Sequence, residues 1–136
     1  MTGLVYVDTS VLLAALFAED RRPPADFWAG QLISSRLLEY ETWTRLNAAH
    51  VTEDVSDAAL FLVGSADLVE MTPTVLARAL ESFPAHVRTL DALHLATADY
   101  LREQGMRLTI ATYDLRLATA ARAMKFTVVE PDASAA

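Results

Sequence analysis

Five short apolar runs punctuate this sequence: Leu4-Val5-Tyr6-Val7, Leu32-Ile33, Leu68-Val69-Glu70-Met71, Leu108-Thr109-Ile110-Ala111 and Phe126-Thr127-Val128-Val129. Each reads as a buried run and not as the polar/apolar alternation of a strand with one wet face. Leu32-Ile33 is the shortest, and it is assigned as a strand because the cap pair Ser34-Ser35 follows it. Helix-patterned stretches fill the intervals. A helix over 11–17 stops near Glu19-Asp20, before the break Arg21-Arg22-Pro23-Pro24. A second helix covers 25–29 and ends at Gly30, and further helices are expected over 36–50 and 56–63, the latter ending at Gly64. Thr72-Pro73 caps and starts a helix over 74–82, and two more cover 89–104, stopped by Gly105, and 114–124. Strands alternating with helices, each strand apolar on both faces, describe an α/β fold: a parallel sheet covered on both sides, three layers in all.

The 136 residues suit one domain over 1–136, with an ordered core of about 3–131 and a short frayed tail after Pro131. Apolar residues make up 53% and charged residues 21%, which supports a core and excludes disorder. Cysteine is absent, which excludes a disulfide scaffold, a thiolate zinc site and a cysteine nucleophile. No apolar run approaches a bilayer span, and Met1-Thr2-Gly3 carries no basic leader, so the expectation is a soluble cytoplasmic protein without membrane contact. The formal net charge of −7 argues against gripping nucleic acid through bulk positive charge. It leaves room for a nucleic-acid enzyme whose acids are offset by metal ions.

Four acids fall where such a fold would gather them. Asp8 follows the first strand and Asp114 the fourth, at the carboxyl ends of strands, where open parallel sheets place their sites. Asp91 lies in the first turn of its helix, and Glu41 shares a stripe with Leu37, Thr44 and Ala48, expected to look largely inward. Taken singly, helix capping accounts for Asp8 and Asp114, and the helix dipole for Asp91. Glu41 resists that account, because an unpaired carboxylate on an apolar stripe is costly to bury. Taken together, converging carboxylates repel and persist only with cations among them. Oxygen-only ligation points to Mg²⁺ or Mn²⁺, and the matching chemistry is phosphodiester hydrolysis by a metal-activated water.

These residues resemble a known family. Val7-Asp8-Thr9-Ser10 is similar to the opening of PIN-domain ribonucleases, as are Ser35-Arg36-Leu37-Leu38-Glu39-Tyr40-Glu41, Thr89-Leu90-Asp91-Ala92-Leu93-His94-Leu95-Ala96-Thr97-Ala98 and Thr112-Tyr113-Asp114-Leu115-Arg116-Leu117. Their order and spacing, from Leu4 to about Pro131, are most similar to VapC toxins of type II toxin–antitoxin pairs. The resemblance implies a five-stranded parallel sheet flanked by helices and a magnesium-dependent endoribonuclease cutting structured RNA such as tRNA or rRNA. It implies metal ligation, direct or through water, by Asp8, Glu41, Asp91 and Asp114, and a hydroxyl beside the metal water from Thr112. It also implies a homodimer and a cognate antitoxin whose C-terminal segment fills a hydrophobic groove and directs an arginine at the acids. Thr9 or Ser10 can orient Asp8, and Arg116 is a candidate phosphate contact. Two features depart from the pattern: Lys125 stands where a glycine commonly precedes the last strand, and Glu39 competes with Glu41 as the second acid.

Other residues read more plainly. His94 is expected to support the site and not to ligate, since hard cations prefer oxygen. Asp99 is expected to be exposed, and at least half of Phe27, Trp28, Tyr40 and Trp43 to pack in the core. The competing function is a PIN-like module that binds RNA or protein without cutting. A phosphotransfer enzyme or receiver domain ranks far behind, because Ser10 stands where an aspartyl phosphatase needs a second Asp.

Overall fold

The structure is a computed structural model and describes residues 3–132. Apart from Asp132, the tail expected to fray lies outside the described residues. Five strands, β1 (Leu4–Val7), β2 (Leu32–Ser35), β3 (Ala66–Val69), β4 (Leu108–Ala111) and β5 (Thr127–Val129), form one sheet in the order β3-β2-β1-β4-β5. Every neighbouring pair is parallel. Six helices accompany them: α1 (Thr9–Leu16), α2 (Leu37–Ala49), α3 (Glu53–Gly64), α4 (Pro73–Ala79), α5 (Thr89–Glu103) and α6 (Leu115–Ala123).

The side-chain alternation of the central strands sorts the core into two layers. Tyr6, Ile33 and Ile110 point to one face and pack with Leu95, Ala98 and Leu101 of α5 and with Leu117, Ala120 and Ala121 of α6. Val7, Leu32 and Ala111 point to the other, against Val11 of α1, beside a smaller cluster of Leu12, Leu38 and Val63 from α1, α2 and α3. β1 and β4 are best buried at their carboxyl ends, where Val7 and Ala111 are closed to solvent. The chain leaves β1 towards β2 and β3 on one side and returns to β4 and β5 on the other. Connections therefore diverge between β1 and β4, which opens a crevice at their carboxyl ends.

Several boundaries differ from those expected. The segment Ala25–Ala29 is a 3₁₀ helix; five residues behind Pro23-Pro24 are too few to establish an α-helical ladder. β2 runs on through Ser34 and Ser35, whose hydroxyls are satisfied inside the fold: Ser34 Oγ donates to Val7 O at 2.6 Å and Ser35 Oγ accepts from Leu37 N at 3.0 Å. β3 begins two residues early because it pairs in register with β2, Leu32 opposite Ala66 and Ser35 opposite Val69. α3 starts at Glu53, behind Thr52, with Glu53 and Asp54 at the favourable end of its dipole, and it ends at Gly64 as expected, with Ser65 as its C-cap. α4 stops at Ala79, where Leu80 N and Glu81 N turn to carbonyls three residues back. Among the described residues no helix is long and apolar enough to cross a membrane.

Candidate active site

A cleft of about 1280 Å³ opens over the crevice between β1 and β4. Asp8, Thr9 and Ser10, Glu41, Asp91, and Asp114 with Arg116 all line it, so residues from four separate stretches of chain converge as the sequence anticipates. Glu39 does not line it; its carboxylate meets Arg36 at 3.4 Å, and Glu41 is the acid of that pair that faces the cleft.

Each carboxylate is held by one oxygen. Asp8 continues the sheet through its N–H, which donates to Ala111 O at 3.0 Å. Its Oδ2 then accepts from Ser10 Oγ at 2.6 Å and Thr112 Oγ1 at 2.8 Å. Asp114 caps α6, with Oδ1 accepting from Arg116 N at 2.9 Å and Leu117 N at 3.3 Å. Asp91 Oδ2 accepts from Arg88 N at 3.2 Å at the start of α5. Glu41 Oε1 takes two donors, Thr9 Oγ1 and His94 Nε2, each at 2.7 Å. Capping and convergence are therefore not alternatives: one oxygen orients the group and the other is left over. No buried side-chain oxygen among the described residues lacks a partner, and all four acids line the cleft.

Three details refine the expectation. Thr9 turns to Glu41, and only Ser10, two residues past the cap, reaches back to Asp8. Thr112 is fully buried beneath the cleft, its proton given to Asp8 and its oxygen accepting from Asp114 N at 3.0 Å, so its hydroxyl joins two acids instead of opening into the space above. The stripe of Glu41 looks inward only at its start: Leu37 is buried and lines the cleft, Glu41 is partly buried there, and Thr44 and Ala48 are exposed, while α2 also buries Leu38, Thr42 and Leu46.

His94 is the supporting residue expected. It is buried, with Nδ1 2.8 Å from Tyr6 Oη and Nε2 on Glu41, and Nε2 stands 3.9 Å from Asp8 Oδ1. Tyr6 escaped the sequence reading because an apolar strand gives no sign that one of its residues is a polar anchor. The electrostatics follow from this packing. Burial alone would push the His94 imidazole down, but the Glu41 hydrogen bond and the charges of Asp8, Glu41 and Asp91 raise it overall. Burial likewise pushes the Glu41 carboxyl up, and His94 and Thr9 together bring it below its ordinary value. Asp91 is raised, by burial first and then by Asp114 and Asp8, against the Arg88 N–H and the His94 charge.

Among the described residues no three His, Asp or Glu side chains stand close enough to hold an ion between them. The arrangement instead offers separate carboxylate oxygens around a roomy cleft. That matches a hydrated Mg²⁺ or Mn²⁺, which keeps several waters and takes one or two carboxylates directly. It does not match zinc, which wants nitrogen and sulfur. Arg45, Arg88 and Arg116 also line the cleft, all exposed and none in an ion pair among the described residues. The sequence reading found only Arg116, since Arg45 and Arg88 lie far from it in the chain.

The remaining side chains sort clearly. Phe27 and Trp28 pack edge to face against the core, as expected of half the aromatics, whereas Tyr40 is exposed at the cleft. Asp99 is not exposed: its side chain is 14% accessible and accepts from Arg78 Nε at 2.7 Å and Arg102 Nη2 at 2.9 Å. α4 packs over that side of α5 and supplies Arg78.

Comparison with known proteins agrees with this geometry. The PIN domain model matches residues 5–123. Ribonuclease VapC47 of Mycobacterium tuberculosis (strain CDC 1551 / Oshkosh) is 27% identical over 136 residues, covering 96% of this chain and 98% of that protein. Ribonuclease VapC35 of Mycobacterium tuberculosis (strain ATCC 25618 / H37Rv) is 28% identical over 133 residues, covering 94% of this chain and 97% of that protein. With a PIN model spanning most of its length and a five-stranded parallel sheet to match, this chain belongs to the PIN-domain family, as a distant relative of the VapC ribonucleases.

Proposed function

We propose that this protein is a Mg²⁺- or Mn²⁺-dependent endoribonuclease, the cytoplasmic toxin of a toxin–antitoxin pair, acting as a single domain within a homodimer. The observation that carries the reading is that Asp8, Glu41, Asp91 and Asp114 all line a single cleft, each with one carboxylate oxygen held by hydrogen bonds from the protein. Such an array repels itself and calls for a cation. The ribonuclease names of the two relatives support RNA as substrate; the choice of structured RNA such as tRNA or rRNA rests on the resemblance of the sequence motifs alone.

The four acids would hold the ion, directly or through water. When bound, the ion supplies an activated water and offsets charge on the phosphate. Ser10 and Thr112 keep Asp8 in one rotamer, and Thr9 does the same for Glu41. Arg116, with Arg45 and Arg88 across the cleft, seats phosphates on either side of the bond to be cut. A net charge of −7 leaves these three arginines as the local attraction for an RNA backbone.

The same acids are a receptor for an arginine from an antitoxin. Tyr40, 61% exposed, and Leu115, 78% exposed, stand at the cleft and offer an apolar landing for that partner's segment. The test is cleavage of RNA by purified protein freed of any antitoxin. Activity with Mg²⁺ or Mn²⁺ that is lost in Asp8→Ala supports the reading, and equal activity in the variant rejects it.

A further inference from the structure

Beneath the carboxylates, a chain of hydrogen bonds runs from the sheet into the cleft: Tyr6 of β1 to His94 of α5, and His94 to Glu41 of α2. Tyr6 and His94 are both buried, their rings edge to face with centroids 5.8 Å apart.

The direction of these bonds follows from the inventory of protons. An ionised carboxylate only accepts, so a bare Nε2 would set lone pair against lone pair at 2.7 Å. Nε2 must carry hydrogen. In the neutral ring Nδ1 is then bare and accepts from the Tyr6 hydroxyl at 2.8 Å. In the imidazolium Nδ1–H donates to Tyr6 Oη instead. Nε2 donates to Glu41 in both charge states, so the arrangement does not depend on which is present. Burial and the Asp8 charge hold the Tyr6 phenol well above its ordinary range, which keeps its proton in place.

Glu41 needs this donor. It reaches the cleft from α2 on a flexible side chain, and Thr9 gives the other hydrogen bond to its carboxylate. Two donors on one oxygen from two different elements, α1 and α5, define its position in a way that one cannot. We infer that His94 is a positioning residue, whose Nε2–H pins Glu41 Oε1 so that Oε2 is presented to a cation in the cleft, with Tyr6 holding the imidazole from behind. The inference rests on the nuclease reading above, and deepens it by giving α5 a second task beside carrying Asp91.

A pair of substitutions separates the two ring nitrogens. Glutamine places its amide near the position of Nε2, and asparagine near that of Nδ1. Manganese binding followed by calorimetry on the whole chain should be near wild type in His94→Gln and weakened about tenfold or more in His94→Asn. RNA cleavage should lose kcat in His94→Asn with KM little changed, because the substrate is held elsewhere. Equal metal affinity in the two variants, whether both retained or both lost, overturns the inference. Nitrogen-15 spectra of the unaltered protein read the same point without mutation: a protonated Nε2 on His94 is required, and a bare Nε2 overturns it even if neither variant folds. If the unaltered protein binds no Mn²⁺, the nuclease reading itself fails. If it binds Mn²⁺ while His94→Asn binds equally well, the positioning role alone fails.

Discussion

Thr112 donates its hydroxyl to Asp8 across 104 residues of chain, at 2.8 Å and out of reach of solvent. The bond ties the carboxyl end of β4 to that of β1, and the same oxygen accepts the Asp114 N–H at 3.0 Å. One small side chain thus sets the spacing of two acids that belong to different loops. A buried hydroxyl in this position is worth more through what its loss leaves unpaired than through the bond itself.

Thr112→Val keeps the shape and removes both interactions. It should cost about 1–2 kcal/mol of stability, read from urea unfolding, because the Asp114 N–H is left without its partner. RNA cleavage should fall about tenfold or more, since Asp8 loses a constraint. Thr112→Ser should recover most of both. A valine variant with full activity would remove Thr112 from the site.

The cleft arginines should act by charge. Arg45→Ala, Arg88→Ala and Arg116→Ala should each raise KM for RNA severalfold with kcat little altered, and each should reduce the slope of log affinity against log salt by about 0.7 for a single-stranded substrate. An unchanged salt slope in all three would show that RNA approaches by another face.

Asp99 carries a pH dependence. Burial would raise its carboxyl, but Arg78 and Arg102 outweigh this and hold it below the ordinary carboxylate value. A depressed folded-state pKa stabilises above the unfolded value near 4, and that contribution disappears as pH falls through the folded one. Asp99→Asn should therefore be less stable than wild type at pH 7, by about 1 kcal/mol for so partly exposed a network, and the difference should close towards pH 3. Urea midpoints for both proteins at the two pH values give the comparison; a gap that widens in acid would reverse the assignment.

Lys125 occupies a left-handed backbone position, φ 71°, at the end of α6. Lys125 N donates to Arg122 O at 2.9 Å and Phe126 N to Ala121 O at 3.0 Å, the paired bonds of a Schellman cap, in which C′ is ordinarily glycine. α5 ends the same way with Gly105 at φ 90°, and α1 with Ala18 at φ 49°. The turn before β5 therefore keeps the geometry a glycine would give, with lysine bearing the steric cost. Lys125→Gly should raise stability by about 0.5–1 kcal/mol, or Tm by about 3 °C, by thermal melting. A lower Tm would mean that the side chain contributes more than the backbone strain costs.

How far the sequence reaches is visible in single residues. Val7-Asp8-Thr9-Ser10 shows a strand meeting a helix cap, because both signals are local: an apolar run, then a short polar acceptor for free N–H groups. The start of α3 and the span of β3 differ from expectation for the converse reason. α3 begins three residues before the expected Ser56, and β3 takes its register from β2, which no local pattern encodes.

Sequence by itself determined the class of fold and the succession of strands and helices, and it singled out four acids that the fold brings to one cleft, since hydrophobic period and cap chemistry act between near neighbours. Only the tertiary structure decided that Glu41 and not Glu39 faces the cleft, that Thr9 serves Glu41 while Ser10 serves Asp8, that Tyr6 and His94 stand behind the site, and that Asp99 is paired. Each of these depends on which donor from a distant stretch arrives within about 3 Å of an acceptor, a distance set by packing across the sheet and not by spacing along the chain.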